Sequence, residues 1–160
     1  MSGEFVDTNV VLYLLHDGLK ADQAEAILAR GPRISVQVLN EAMVNCRRKA
    51  GLDWDETASF LVGVRALCSV EDVTLRTHEV GRALAERYGF SVYDAMIVAA
   101  ALIAGCTTLW TEDMHAGLLV EGQLRLVNPF ARSRIRSIRH RPRESSRSRC
   151  WGLRPSSSGH

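Results

Sequence analysis

The residues of this chain most able to do chemistry are four carboxylates, each placed where an apolar segment begins or ends. They are Asp7, Glu41, Asp94 and Asp113. A carboxylate beside a packed core loses hydration, which costs free energy unless another group offsets it. If the fold brings the four together, their mutual repulsion raises their pKa values unless a cation neutralises the site. Oxygen-only ligands suit a hard divalent ion such as Mg²⁺, so the pattern predicts metal-binding chemistry.

Each acid taken alone also has a structural interpretation. The spacing Ser91-x-x-Asp94 fits a capping box, in which the acid bonds back to the start of its helix. Asp7 and the two polar residues after it could form an Asx-type turn that caps the next helix. Glu41 could be a solvated helix residue, and Asp113 could belong to a turn after a strand.

The elements that must position these acids alternate between strand-like and helical patterns, which predicts an α/β fold with a mostly parallel sheet. The predicted strands are residues 4–6, 33–36, 70–75, 107–110 and 124–127. The predicted helices are residues 10–16, 20–30, 38–49, 54–68, 78–88 and 92–104, with Asp53, Thr77 and Ser91 as N-caps and Gly89 as a helix end. Ligands of an open parallel sheet bind beyond the carboxyl ends of the strands. All four acids can therefore converge on one edge of the sheet, which chance capping would not require.

Charge is distributed unevenly along the 160 residues. Residues 131–160 hold nine of the 20 basic and one of the 18 acidic residues, so this tail carries +8 and residues 1–130 carry −6. The composition predicts one folded domain over residues 1–130 and a disordered Arg/Ser-rich tail. The tail could add salt-sensitive affinity for a nucleic-acid backbone or be a dispensable extension. No apolar segment of the signal-peptide type follows residues 1–4, and the longest uncharged apolar run, residues 95–106, is too short to span a membrane. We therefore expect a cytoplasmic protein with no membrane contact.

Four motifs, in order, resemble those of the PIN-domain ribonucleases, and among them the toxins of bacterial VapBC-type toxin–antitoxin pairs. Residues 5–14, FVDTNVVLYL, resemble the first motif, in which a hydrophobic strand leads into D-T-N. Glu41, preceded by asparagine, resembles the second acid. Residues 90–101, FSVYDAMIVAAA, resemble the third motif, and residues 109–114, LWTEDM, resemble the T-x-D of the fourth. The resemblance covers about residues 4–130, and implies a PIN-like α/β/α sandwich with a short, mostly parallel central sheet.

The resemblance also implies a Mg²⁺-dependent endoribonuclease, with Mn²⁺ as an alternative ion, that acts as the toxin of a toxin–antitoxin pair. The catalytic residues and metal ligands would be Asp7, Glu41, Asp94 and Asp113, some of them binding through water. Thr8, Asn9 and Thr111 are then candidates to orient the carboxylates or bind the substrate phosphate. Glu112 is interpreted as a bystander that points to solvent. The implied partners are an RNA substrate, a cognate antitoxin that covers the site, and a second copy of the chain in a homodimer.

Two other functions stay open on the sequence. A phosphatase of the haloacid-dehalogenase type would place a nucleophilic Asp after the first strand, but its usual second Asp is replaced here by Asn9. A catalytically inactive PIN-like RNA-binding or assembly module would be favoured by loss of any of the four acids, yet all are present. The basic run Arg47-Arg48-Lys49 could hold an RNA backbone, or could complement the C-terminal end of its own helix.

Overall fold

A computed structural model of the protein describes residues 3–131, so the tail predicted at 131–160 lies outside the described residues beyond Ala131. The strands are β1 (Glu4–Val6), β2 (Arg33–Ser35), β3 (Ser69–Glu71), β4 (Thr108–Trp110), β5 (Leu119–Val120) and β6 (Leu124–Val127). The α-helices are α1 (Thr8–Leu12), α2 (Leu19–Leu28), α3 (Val36–Arg48), α4 (Trp54–Leu67), α5 (Leu75–Tyr88) and α6 (Val92–Ile103), and a 3₁₀ turn, Tyr13–Leu15, follows α1. None of the helices in the described range has the length and hydropathy that crossing a bilayer requires.

The strands form one sheet in the order β3-β2-β1-β4-β6-β5, in which every neighbouring pair is parallel except β5 and β6. This arrangement confirms the predicted α/β class with a mostly parallel central sheet. The chain first builds the sheet from β1 towards β3, and then places β4 on the other side of β1. The direction of winding therefore reverses between β1 and β4, and a crevice is expected beyond their carboxyl ends. Because Val6 pairs with Trp110, the residues that follow these strands emerge side by side.

Helix α6 belongs to the core because it is apolar on nearly every side. Its residues Ala95, Ile97 and Val98 have no exposed surface. Helix α5 packs along it, and Gly81 permits a close approach, since a Cβ at this position would lie 2.8 Å from the Sδ of Met96. This packing fixes α6, and with it the acid in its first turn.

Local capping signals set several helix ends where the sequence predicts them. Asp53 and Glu56 form a reciprocal capping box at the start of α4. Gly89 ends α5 in the left-handed conformation, with φ of 73°, and Ser91 caps α6. Each of these signals acts between residues at most a few positions apart, so its outcome does not depend on the rest of the fold.

The boundary between β3 and α5 differs from the prediction. Thr77 is not the N-cap of α5: Thr74 caps the helix, and Thr77 is its capping-box partner. Accordingly β3 ends at Glu71, and Leu75 already lies in the helix. The short strand β5 was not predicted, because two residues are too few to show an alternating pattern.

Candidate active site

Asp7 follows β1 and is the most buried of the four acids, with 4% of its surface exposed. Its main-chain N–H donates to the carbonyl oxygen of Trp110 at 2.9 Å, which ties it to the end of β4. Its Oδ1 accepts the N–H of Thr8 at 2.7 Å, so Asp7 is the N-cap of α1. Its Oδ2 accepts the hydroxyl hydrogen of Thr111 at 2.8 Å and, at 3.4 Å, the amide of Asn9. The carboxylate is thus held from both sides before any ligand binds.

Burial raises the pKa of the Asp7 carboxyl to about 7, because the charged form loses hydration. The hydrogen bonds from Thr111 and Thr8 lower the pKa, since they stabilise the carboxylate. The negative charges of Asp94 and Glu41 raise it. The repulsion expected from the sequence is therefore present at Asp7, but burial is the larger cause. Near neutral pH the carboxyl is only partly ionised, and added positive charge would favour its ionised form.

Glu41 is placed by α3, which begins where Ser35 accepts the N–H of Val38 at 3.3 Å. Its Oε2 accepts the hydroxyl hydrogen of Thr8 at 2.6 Å, and its Oε1 accepts the amide of Gln37 at 3.4 Å. Because Thr8 follows Asp7 directly, the first of these bonds sets the second acid beside the first.

Asp94 and Asp113 reach the site from two further elements. Asp94 is half-buried in the first turn of α6, where its N–H donates to the Oγ of Ser91 at 3.2 Å. The reciprocal bond of a capping box, from the Ser91 N–H to the Asp94 carboxylate, is not formed within residues 3–131. The carboxylate of Asp94 is therefore not used in capping. Asp113 is exposed in the loop after β4.

All four carboxylates line the same cavity, whose volume is about 680 Å³. Thr8 and Asn9 line it as well, whereas Thr111 is fully buried and acts on the site through its bond to Asp7. The remaining wall comes largely from α3 and from Tyr93, which precedes Asp94. The structure thus brings together the acids and the polar neighbours that the sequence singled out.

The chemistry of this donor set fits a divalent cation. Within residues 3–131, no three His, Cys, Asp or Glu side chains are close enough to hold an ion by protein ligands alone. Mg²⁺ does not require such a group, because it usually keeps several waters and binds through one or two carboxylates. Carboxylate oxygens are hard ligands. A bound cation would also offset the cost of ionising the Asp7 carboxyl, whose pKa is raised by burial. The residues therefore fit Mg²⁺ or Mn²⁺ held partly through water.

Glu112 is not the solvent-facing bystander that the sequence suggested. Its Oε2 accepts the hydroxyl hydrogen of Tyr13 at 2.6 Å, and its Oε1 accepts a hydrogen from the Nζ of Lys20 at 2.5 Å. Its N–H donates to the side-chain oxygen of Asn9 at 3.3 Å. These contacts tie the loop that carries Asp113 to α1 and the 3₁₀ turn. No local signal could have revealed them, since Tyr13 and Glu112 are 99 residues apart.

Helix α3 contributes two polar residues to the cavity, Gln37 and Asn45, that sequence reasoning missed. Together with Glu41 and Arg48 they recur at spacings of four, four and three, so they share one face of the helix. This periodicity was an available signal, but any solvated helix also shows a polar face. Tyr93 was missed because nothing in the sequence indicates that this residue is 64% exposed.

Thr111→Val is expected to raise the pKa of Asp7 by on the order of one unit, because it removes a hydrogen bond to the charged carboxylate. The pH dependence of the Asp7 carboxyl carbon shift, measured by NMR without metal, reports this change. Thr57→Val is a matched control, since Thr57 is also buried and its hydroxyl has no hydrogen-bond partner in the described range. An identical titration in Thr111→Val and the control would show that the bond does not stabilise the carboxylate.

Comparison with known proteins relates this geometry to a family. The PIN domain model matches residues 5–116 of the chain. A toxin–antitoxin complex from Klebsiella pneumoniae is similar in structure, with 20% identity, a TM-score of 0.62, and coverage of 79% of this chain and 98% of that chain. VapC20 of Mycobacterium tuberculosis, a toxin that cleaves the sarcin–ricin loop, has 22% identity and a TM-score of 0.54, over 69% of this chain and 89% of that chain. VapBC2 of Rickettsia felis, bound to a DNA fragment from its promoter, has 20% identity and a TM-score of 0.53, over 69% of this chain and 87% of that chain.

At these identities the structural likeness establishes the fold. No curated protein matches the chain in sequence at a significant level.

Proposed function

Because this chain belongs to the PIN domain family, we propose that it is a divalent-metal-dependent endoribonuclease and the toxin of a toxin–antitoxin pair. The observation that carries the proposal is the convergence of four acids on one cavity, beside the point where the winding of the sheet reverses. Burial raises the pKa of Asp7 in this cavity to about 7, so a bound cation would favour its carboxylate form.

In this proposal Asp7, Glu41, Asp94 and Asp113 hold Mg²⁺ or Mn²⁺, in part through water. When bound, the ion lowers the pKa of a water molecule and neutralises charge on the scissile phosphate. The Asp7 carboxylate is held in place because it accepts hydrogen bonds from three donors. Thr8 bonds to Glu41 and Thr111 bonds to Asp7, so both hydroxyls orient carboxylates before RNA arrives.

The assignment as a toxin is supported by the kinds of protein that share this fold. The Klebsiella structure is a toxin–antitoxin complex, and the Rickettsia structure is VapBC2 bound to promoter DNA. For this chain we infer a cognate antitoxin that covers the acidic cavity with a basic side chain, because opposite charge favours such an inhibitor. A homodimer and a cytoplasmic location, where RNA is present, belong to the same proposal.

Cleavage of total cellular RNA by the purified full-length chain tests the proposal. We expect discrete products with Mg²⁺ or Mn²⁺ and none with EDTA, because the attacking water needs a bound ion. Asp94→Asn removes one charge from the cavity and leaves the Ser91 cap in place, so we expect the rate to fall by at least about tenfold. Glu86→Gln is the control, since Glu86 is exposed on α5 and pairs with Arg82 at 3.6 Å. Sequencing the new RNA ends then identifies the target.

Equal cleavage in EDTA, or equal cleavage by Asp94→Asn, would contradict a metal site at these acids. Binding of RNA without cleavage under every metal condition would instead favour the catalytically inactive PIN-like RNA-binding or assembly module.

A further inference from the structure

The cavity that holds the four acids has an oppositely charged end. Helix α3 supplies Glu41, one of the four acids, and Arg48 seven residues later. This separation is two turns, or roughly 10 Å, along the helix axis. Lys49, the C-cap of α3, lines the same cavity. Neither cation forms an ion pair with a carboxylate of residues 3–131. Positive charge that no described acid neutralises therefore lies in the same space as the candidate metal ligands.

Arg47, which directly precedes Arg48, shows that not every cation at the end of α3 lines the cavity. Arg47 donates to the carbonyl oxygen of Leu52 at 2.6 Å, and its guanidinium lies over the ring of Trp54, 4.5 Å from the ring centroid. Arg47 thus stabilises the turn between α3 and α4 and does not line the cavity. Complementing the negative C-terminal end of α3 would not require the other two cations to line the cavity with the acids.

A second, smaller cavity of about 210 Å³ adjoins the first and shares four residues with it. The shared residues are Asn9, Leu12, Asn45 and Lys49. We refer to the two adjoining cavities together as the groove, and Lys49 lines both of them. A groove with a cation along its length suits an extended polyanion such as the backbone of a nucleic-acid strand.

Tyr93 supplies an aromatic surface in the same groove. It directly precedes Asp94, lines the larger cavity, and is 64% exposed. None of the ring–ring contacts within residues 3–131 involves it. An unpaired base can stack on such a ring, whereas a base inside an RNA duplex cannot reach it.

We propose that Arg48 and Lys49 bind a phosphate next to the scissile one and that Tyr93 stacks on an unpaired base. The substrate is then RNA that is single-stranded at the cut. This assignment rests on the proposed nuclease function. The acids alone would repel the RNA backbone, and the two cations offset that repulsion about two helical turns along α3 from Glu41.

Binding of labelled RNA under conditions that prevent cutting tests the assignment. Full-length Asp7→Asn protein in Mg²⁺ is titrated with an unstructured RNA oligonucleotide and with an RNA duplex, at several salt concentrations. Adding Arg48→Gln or Lys49→Gln should weaken single-strand binding about tenfold, and should reduce the slope of log K against log salt by roughly 0.7. Adding Arg65→Gln, which removes an exposed cation of α4 outside the groove, should change neither quantity.

The aromatic part of the site has its own pair of variants. Tyr93→Ala in the same background should weaken single-strand binding about tenfold and duplex binding much less, while Tyr93→Phe should bind like its parent. Tighter binding to the duplex than to the single strand, or equal binding by Tyr93→Ala and Tyr93→Phe, would overturn the stacking assignment. Equal affinity and salt slope in the Arg48→Gln and Arg65→Gln proteins would overturn the phosphate site.

Cleavage kinetics separate failure of this inference from failure of the proposed function. With an otherwise wild-type chain, Arg48→Gln should raise KM at least about fivefold and change kcat little, because a contact remote from the reacting atoms contributes mainly to binding.

If the wild type cuts RNA and Arg48→Gln leaves KM unchanged, the nuclease assignment stands and the phosphate site is wrong. If the wild type neither binds nor cuts RNA, the proposed function itself fails. If Arg48→Gln loses affinity only for an acidic antitoxin segment, the cations serve a protein partner and the RNA site is overturned.

Discussion

Asp7→Asn is expected to lower metal-dependent RNA cleavage by roughly a thousandfold, because an ion that stabilises transition-state charge contributes several kcal/mol. Asparagine keeps the size of the side chain, and its oxygen can still accept the N–H of Thr8. The hydroxyl of Thr111 can turn to accept a hydrogen from the new amide. The substitution therefore removes the most buried negative charge of the site and leaves the fold intact. Initial rates with Mg²⁺ on the identified RNA measure the effect.

Asp17→Asn is the matched control for this measurement. Asp17 is exposed and lines neither cavity, so the same substitution there removes a carboxyl group without touching the site. Full activity in the Asp7→Asn protein would remove Asp7 from the metal site. An equal loss in both variants would show that overall charge, rather than a ligand, governs the rate.

The same substitution is expected to stabilise the protein without metal, by on the order of 4 kcal/mol above pH 7. The Asp7 carboxyl has a pKa of about 7 in the folded chain against an ordinary value of 3.8. Between these values the folded state binds more protons than the unfolded state, so the free energy of unfolding falls as the pH rises. Below the lower value both states are protonated and the effect vanishes. The asparagine variant has no such proton to lose.

Urea unfolding in EDTA, from about pH 4 to about pH 8, measures this difference between wild type and Asp7→Asn. We expect the two free energies to agree near the acid end and to separate as the pH approaches 7, with the variant more stable. Adding Mg²⁺ at the alkaline end should narrow the gap, because an ion that binds the folded wild type stabilises it. Parallel pH profiles would show that burial does not raise the pKa of Asp7 in solution.

The expected loss of cleavage and the expected gain in stability of Asp7→Asn have the same physical cause. Burial makes the Asp7 carboxylate unfavourable in the folded chain, and the same burial strengthens its attraction for a cation, because less water screens the charge. A residue kept for stability alone would not show this combination. A gain in stability together with a loss of cleavage would therefore be strong support for a site that binds metal.

The order of elements and the positions of the acids could be predicted from the sequence because both depend on short-range physics. Apolar periodicity marks a helix or strand within a few residues, and caps such as Asp53 with Glu56 act over a single turn. Parallel topology then places the residues after β1 and β4 together. The start of α5 was misplaced since Thr74 and Thr77 bond to each other, and the sequence does not say which of them comes first in the helix.

What these residues do to one another was decided only by the tertiary structure. The bond from Thr111 to Asp7 joins residues 104 apart, and the bond from Thr8 to Glu41 joins residues 33 apart. The entropy of closing such loops changes slowly with their length, so the sequence cannot rank one distant polar partner above another. The burial that raises the pKa of Asp7 likewise depends on every element packed around β1.

The basic run at the end of α3 shows the same division. The three cations are visible in the sequence, and their position at the end of a helix could be predicted from it, because composition and periodicity are local properties. It left Arg47, Arg48 and Lys49 equivalent, whereas the folded chain packs the first against Trp54 and places the other two in the groove. Side-chain direction depends on which neighbours fill the space, and those neighbours come together only when the chain is packed.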